Sequence, residues 1–174
     1  MKKILLVISF CLVASIAISL ASKVQAFEVD WFRSGMTKEE VEKQLKGMGF
    51  NKIDIEERSI LARDIPDTAT SRFYQFVFKN DKLISLHKSF PHSVNNFIFL
   101  FDKLTSLYGK PVSSTPHILL SSTGEIRLIR FNFFKYLSEP NTFNSVTEVI
   151  ALSLVGESPN PSLSVTYQAG PLND

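Results

Sequence analysis

Residues 72–90 read RFYQFVFKNDKLISLHKSF, in which apolar and polar side chains alternate on both sides of an Asn-Asp pair. Because successive side chains of a strand point to opposite faces, the first half of this stretch places three aromatic rings on one face. These are Tyr74, Phe76 and Phe78. Asn80 and Asp81 tolerate the positive φ angles of a two-residue turn. The pattern predicts a β-hairpin with one buried face.

Two helices are predicted, one before and one after this hairpin. Thr37 is followed three residues later by Glu40, which is the spacing of a capping box, so a helix begins there and runs to about Met48. Ser93 can cap a second helix over about residues 94–108. Both stretches carry apolar side chains at helical spacing, which indicates that each helix buries one side.

Further alternation predicts the remaining strands, at residues 53–55, 118–121, 125–136, 146–155 and 163–167. Residues 61–71 are polar and contain a proline, and predict an exposed loop. We therefore predict an α+β fold in which two helices pack on one face of an antiparallel sheet. The order of elements also suggests a tandem αβββ repeat, although two helices that end alike by chance explain it nearly as well.

The first 26 residues have the three parts of a secretory signal peptide. Lys2 and Lys3 precede an apolar run over residues 4–20, and small residues follow, ending at Ala26. We expect export and cleavage near Ala26, which places the protein in the periplasm or outside the cell. Cleavage after Ala21, or retention of the segment as a membrane anchor, are the alternatives.

Removal of residues 1–26 changes the chemistry of the chain. It takes away three lysines and the only cysteine, Cys11, and leaves 16 basic against 17 acidic side chains. The remaining net charge of −1 offers no basic surface for nucleic acid. Disulfides, thiol nucleophiles and thiolate metal sites are excluded as well. We expect a single domain over residues 27–170 and a frayed tail over residues 171–174.

No motif predicts catalysis. His87, His92 and His117 do not have metal-ligand spacing, and the chain has neither a Gly-x-Ser-x-Gly elbow nor a glycine-rich phosphate loop. The residues of a Ser-His-Asp triad can be distant in sequence, so the absence of a local motif does not exclude a triad. The hypothesis is a protein that is not an enzyme, with no catalytic residues, no metal and no cofactor.

Alternation also assigns the strand residues to two faces. The face toward the helices is predicted to hold Tyr74, Phe76, Phe78, Ile84, Leu86, Ile129, Phe131, Phe133, Ile150, Leu152, Leu154, Leu163, Val165 and Tyr167. The other face is predicted to hold Phe73, Gln75, Val77, Leu83, Ser85, His87, Arg130, Asn132, Phe134, Tyr136, Ser164, Thr166 and Gln168. Aromatic and arginine side chains among small polar groups are typical of protein-recognition surfaces. The alternative is a face that a loop covers or that water simply solvates.

The function predicted from this second face is that of an exported, non-enzymatic protein-binding module: an inhibitor, an immunity protein or an envelope-assembly accessory protein. Its predicted partner-binding residues are Phe73, His87, Arg130, Asn132, Phe134 and Tyr136. The expected partner is another exported or envelope protein, with no nucleic acid, and with membrane contact only through the transient signal peptide. The alternative is a periplasmic small-ligand or lipid carrier with an apolar pocket.

Three short motifs carry a resemblance to a known fold. Residues 35–45, GMTKEEVEKQL, resemble the opening helix of small exported bacterial domains with the β-lactamase-inhibitor-protein-like fold, which the SmpA/OmlA (BamE) assembly lipoproteins share. Residues 76–83, FVFKNDKL, look like their hairpin, and residues 108–111, YGKP, look like the end of a second helix in tandem versions. The resemblance implies the fold more than the function. The inhibitors carry disulfides and the lipoproteins a lipid-bearing cysteine, and the chain after cleavage has neither.

Overall fold

A computed structural model describes residues 26–64, 72–121, 124–136, 146–156 and 161–170. Most of the predicted signal peptide and the predicted tail therefore lie outside the described residues. In chain order, the described elements are β1 (Glu28–Val29), β2 (Phe32–Arg33), α1 (Lys38–Gly47), β3 (Lys52–Ile55), β4 (Ser59–Arg63), β5 (Phe73–Lys79), β6 (Lys82–Phe90), α2 (Val94–Tyr108), β7 (Ser113–Ser121), β8 (Gly124–Tyr136), β9 (Val146–Gly156) and β10 (Ser162–Ala169).

Eight strands form one antiparallel sheet in the order β3-β4-β5-β6-β10-β9-β8-β7, and β1 pairs separately with β2. Each half of the large sheet is a meander in which every strand pairs with its neighbour in sequence. The first half follows α1 and the second half follows α2. The two halves meet at their last strands, because β6 pairs with β10 in the middle of the sheet. The first strand of each half, β3 or β7, forms an outer edge.

The predicted α+β fold class is wrong, because it gives the helices too large a share of the structure relative to the strands. Over the described ranges the structure is 56% strand, with an eight-stranded and a two-stranded sheet and two helices. Sheet therefore dominates, in place of an α+β domain built from two helices packed on a sheet face. The predicted αβββ unit is wrong as well, because each helix is followed by four strands.

The prediction missed β4 because its apolar signal is short. Only Ile60 and Ala62 of this strand are fully buried, and charged residues lie on both sides of the strand. The predicted loop over residues 61–71 is thus wrong at positions 61–63, which belong to β4. Residues 65–71 lie outside the described part of the chain.

Both helix predictions are confirmed. At the start of α1, the backbone N of Glu40 donates to Thr37 Oγ1 at 3.2 Å, and the backbone N of Thr37 donates to Glu40 Oε2 at 2.7 Å. This reciprocal pair is the predicted capping box. Ser93 Oγ accepts from the backbone N of Asn96 at 3.1 Å, so α2 also begins at its predicted cap.

The buried side chains of both helices contact the same side of the sheet, which we call the helix side. Val41 and Leu45 of α1 pack with Ile60, Phe76 and Leu86. The second cluster combines Leu100 and Leu104 of α2 with Phe133, Ile150, Leu152, Leu163 and Val165. The strand register joins the two clusters, because it aligns Phe76, Leu86, Tyr167, Ile150 and Phe133 in one row across the sheet. The opposite side is called the open face.

One pair of face assignments is wrong. The register of the β5–β6 hairpin shifts between Val77 and Phe78, so Phe78 pairs with Leu83. Leu83 is therefore the buried residue, with 1% of its surface exposed, and the predicted core residue Ile84 instead lines a surface depression. A bulge inserts an extra residue, which reverses the alternation beyond it. Sequence alternation alone carries no sign of that shift.

The β1–β2 hairpin packs on the helix side. Ala26 and Phe27 are buried, and the backbone N of Ala26 donates to Ser34 Oγ at 2.8 Å. The hairpin turns at Asp30, whose φ angle is +49°. Tyr74 donates its hydroxyl proton to Asp30 Oδ2 at 2.6 Å, and Lys88 forms an ion pair with the same carboxylate. Burial tends to raise the Asp30 pKa, but the hydrogen bonds from Lys88 and Tyr74 lower it overall.

Gly170 provides a test of how closely the end of β10 approaches β9. A Cβ at Gly170 would lie 2.0 Å from the carbonyl oxygen of Val146, whereas a Cβ at Gly47 meets nothing within 4 Å. We expect Gly170→Ala to destabilise the protein by about 1–3 kcal/mol, because backbone must move to admit the methyl group. The matched variant Gly47→Ala should stabilise it by about 0.5–1 kcal/mol. Urea unfolding measures both, and equal stability of the two variants would contradict the packing described.

Candidate functional site

The strand register aligns the open-face side chains in rows that run across the sheet. One row, which we call the serine row, contains in order Arg63, Phe73, Ser89, Ser164, Ser153, Arg130 and Thr115. Its three serines lie on the adjacent strands β6, β10 and β9. Because neighbouring strands are about 4.8 Å apart, Phe73 and Arg130 stand about 19 Å apart with only short side chains between them.

The next row contains Leu61, Gln75, His87, Thr166, Ala151, Asn132 and Ser113. His87 Nδ1 and Thr166 Oγ1 are 3.0 Å apart and share a hydrogen bond. Asn132 Nδ2 donates to Ser113 Oγ at 2.9 Å. These bonds hold the polar side chains of the row in place before any partner arrives.

Two aromatic pairs flank the short side chains. The rings of Phe73 and His87 are 6.1 Å apart in an edge-to-face arrangement on β5 and β6. The rings of Phe134 and Tyr136 form a similar pair on β8, at 6.2 Å. All four side chains are half-buried. Each pair is thus partly desolvated and keeps part of its surface accessible.

The six predicted partner-binding residues all belong to the open face, in two groups. Phe73 and His87 form one group, and the other consists of Arg130, Asn132, Phe134 and Tyr136 along β8. The structure brings residues together within each group. The short side chains of β6, β10 and β9, among them Ser89, Ser164 and Ser153, lie between the groups and are called the serine strip. The prediction omitted Ser89 and Ser153. Alternation around the buried Leu152 would have found Ser153, but its alignment with Arg130 depends on the register.

From β4 to β7 the serine row contains two cations and no anion. Arg63, at the β4 end, lies 3.5 Å from Asp54. Arg130 is exposed, and its Nε donates to Ser153 Oγ at 3.4 Å; no carboxylate of the described residues pairs with it. Burial lowers the pKa of His87, so its ring is neutral at pH 7 and adds no charge to the face.

Glu148 is the one described carboxyl group whose pKa is raised. Burial raises it to about 7, because only 1% of the residue is exposed. Tyr108 donates its hydroxyl proton to Glu148 Oε1 at 3.3 Å, and Lys135 Nζ lies 3.8 Å from Oε2. Perturbed pKa values often mark active sites. Glu148, however, lies on the helix side against the end of α2, where no substrate can reach it without opening the structure.

Three depressions formed by described residues are all open to solvent. Their volumes are about 720, 610 and 440 Å³, and charged residues line each of them. Within the described ranges, no group of three or more His, Cys, Asp or Glu side chains is placed to hold a metal ion. Neither described helix is long and apolar enough to cross a membrane.

Comparison with known proteins returned nothing: no family model matches the chain, and neither the curated proteins nor the solved structures include a match. The resemblance to the β-lactamase-inhibitor-protein-like fold therefore stays a prediction.

The Glu148 carboxyl group predicts an unusual pH dependence of stability. Its pKa is about 7 in the folded protein and near 4.5 when solvated, so the folded state holds the proton more tightly between these pH values. The contribution of Glu148 to the free energy of unfolding should therefore fall by about 3 kcal/mol as the pH rises from 4 to 8.

The test compares Glu148→Gln with the native protein by urea unfolding at pH 5 and pH 8. The neutral amide should stabilise the protein at pH 8 and have little effect at pH 5. All other titrating groups are common to the two proteins, so the difference isolates Glu148. An equal difference at both pH values would mean that Glu148 is solvated like an ordinary glutamate.

Proposed function

We propose that this protein is an exported, non-enzymatic protein-binding module that holds its partner on the open face. The observation that carries the proposal is the arrangement of two aromatic pairs on either side of a strip of short hydroxyl side chains. Helices and the β1–β2 hairpin cover the helix side, whereas no described element packs on the open face. Export rests on the signal-peptide pattern of the first 26 residues.

The dimensions of the strip suit a protein segment. An α-helix with its side chains is about 10–12 Å across, so a helix or a loop fits within the about 19 Å that separate the strands of the aromatic pairs. Phe134 lies two rows along the strands from Phe73, so a segment that crosses the face obliquely would contact Phe73 at one end and Phe134 at the other. Aromatic anchors that are already held in place lose little conformational entropy on binding.

Recognition on this face must use side chains. The central strands β6, β10 and β9 each have a neighbour on both sides, so their backbone groups are paired within the sheet. Addition of a partner strand is possible only at β3 or β7. A partner seated on the serine strip is therefore selected by hydroxyl, amide and aromatic groups, and the module acts by covering a surface of the partner or by holding it in position. That action fits an inhibitor, an immunity protein or an assembly accessory protein.

The carrier hypothesis requires an enclosed apolar cavity of a few hundred Å³. The three depressions described above open to solvent and therefore lend it no support. The buried aromatic side chains instead pack against one another, as in the 4.6 Å contact between the rings of Phe32 and Phe76.

Site-specific photo-crosslinking tests which side of the sheet the partner occupies. A photoreactive residue replaces Gln75 or Asn132 on the open face, and Asn95 or Ser106 on the exposed side of α2 in matched controls. We expect one discrete adduct, formed in living cells of the source organism, only from the open-face positions. An adduct formed equally from the α2 positions, or none from the open face, would reject the proposal.

The two aromatic pairs should carry most of the binding energy. We expect Phe73→Ala combined with Phe134→Ala to weaken partner binding on the order of 100-fold or more, because hot-spot side chains contribute about 2 kcal/mol or more each. Both rings are half-buried, so the cost in folding stability should stay below the about 3–5 kcal/mol of a full core truncation. Binding is measured by titration with the crosslinked partner once it is identified, and melting temperatures are compared in parallel.

The matched control combines Phe99→Ala with Ile118→Ala. These side chains are also apolar and are 64% exposed each, but they lie on α2 and on the helix side of β7. This pair should leave partner binding unchanged. If both double variants lose binding equally, the loss reflects general exposure of apolar surface, and the open face is not the binding surface.

A further inference from the structure

We propose that the serine row binds a carboxylate side chain of the partner, an aspartate or glutamate that pairs with Arg130 and accepts hydrogen bonds from Ser153 and Ser164. This inference rests on the proposed function and adds to it the chemistry of the partner. It comes from the charges and donors that the register brings into one row.

Arg130 is the first observation. A guanidinium group has five N–H donors, and within the described residues Arg130 uses one of them, in the 3.4 Å bond to Ser153 Oγ. A partner that covers the open face removes water from this cation. An arginine desolvated without an anion is costly, whereas a carboxylate can accept two of its N–H bonds at once. The partner therefore has to supply a negative charge at this point.

The serines are the second observation. Ser153 and Ser164 are only 9% and 8% exposed, although they face the open side of the sheet. Ser153 lies opposite Arg130 on the adjacent strand, and Ser164 follows in the same row on the next strand. No described residue pairs with the hydroxyls of Ser89 or Ser164, so their protons are available to an acceptor. Hydroxyl donors next to a cation, without an anion in the row, favour a carboxylate and disfavour a lysine or an arginine.

The position of Phe73 determines how long a peptide must be to contact both Phe73 and Arg130. Phe73 lies in the same row as Arg130, about 19 Å away across four strand intervals. An extended peptide covers that distance in about six residues, at about 3.3 Å per residue. The minimal probe is therefore a heptapeptide with phenylalanine at one end and glutamate at the other, for example acetyl-Phe-Gly-Ser-Gly-Ser-Gly-Glu-amide. Two analogues carry glutamine or lysine in place of the glutamate.

The experiment titrates the ¹⁵N-labelled exported protein with the three heptapeptides and follows amide shifts by NMR. We expect the glutamate peptide to shift the amides of Ser153, Ser164 and Ser89 and the Nε–H of Arg130. The glutamine peptide should bind at least about 10-fold more weakly, because a hydrogen bond to a charged group contributes about 1.5–3 kcal/mol. The lysine peptide should not shift these resonances.

Arg130→Gln identifies the cation responsible. In this variant the preference for glutamate over glutamine should fall to about one. The matched control is Arg127→Gln, on the same strand but in the helix-side register, and it should keep the preference of the native protein. Equal binding of the glutamate and glutamine peptides to the native protein, shifts confined to the helix side, or no shifts from any peptide would each overturn the inference.

Inorganic sulfate and phosphate form a further arm of the titration. If either ion alone produces the same shifts at the same concentration as the peptide, the serine row binds a free anion and the assignment to a partner side chain is wrong. The experiments distinguish a failure of the carboxylate inference from a failure of the proposed binding face. Loss of partner binding in the Phe73/Phe134 double variant but not in Arg130→Gln would leave the binding face in place and reject the carboxylate. Absence of any open-face crosslink would reject the binding face itself.

Discussion

The antiparallel pairing of β6 with β10 is the contact on which the rest of the structure depends. Every other pairing in the large sheet joins strands that are neighbours in sequence, so each half could form its meander locally. The β6–β10 ladder joins the halves over a long sequence separation, and it sets one register for the whole sheet. A slip of one residue would turn Ser164 and Thr166 toward the helices and expose Leu163 and Val165. The buried cores on the helix side therefore hold the open face in register.

The two sides of the sheet differ in the kind of side chain that each strand contributes. Along β10, the buried Leu163 and Val165 alternate with Ser164 and Thr166. Burial of Leu163 and Val165 on the helix side, under the helices and the β1–β2 hairpin, contributes hydrophobic free energy to folding. The open face carries hydroxyl and amide groups, some of which pair with one another, as His87 does with Thr166 and Asn132 with Ser113, while others can bond water or a ligand. The side chains that stabilise the fold and those of the proposed binding surface thus lie on opposite faces of the same strands.

Local patterns predicted the local parts of this structure. The Thr37–Glu40 capping box, the second helix after Ser93 and the turn at Asn80-Asp81 each depend on residues close in sequence, and each is confirmed. The strand β4 escaped prediction because it is short and only two of its residues, Ile60 and Ala62, are fully buried. The faces predicted for Leu83 and Ile84 are reversed because of a bulge, and sequence alternation cannot reveal a bulge. All six predicted site residues share the open face, but the serine row exists only through pairings between distant strands, and no single stretch of sequence contains it.

Burial of the amino-terminal hairpin places a condition on the predicted cleavage of the signal peptide. Ala26, where we expect cleavage, is buried and bonded to Ser34, and the next residue, Phe27, packs near the ring of Tyr167. A peptidase needs an extended and accessible chain at the bond it cuts. Cleavage at this predicted site would therefore have to precede the docking of the hairpin, because the bond to be cut becomes inaccessible once Ala26 and Phe27 are buried on the helix side.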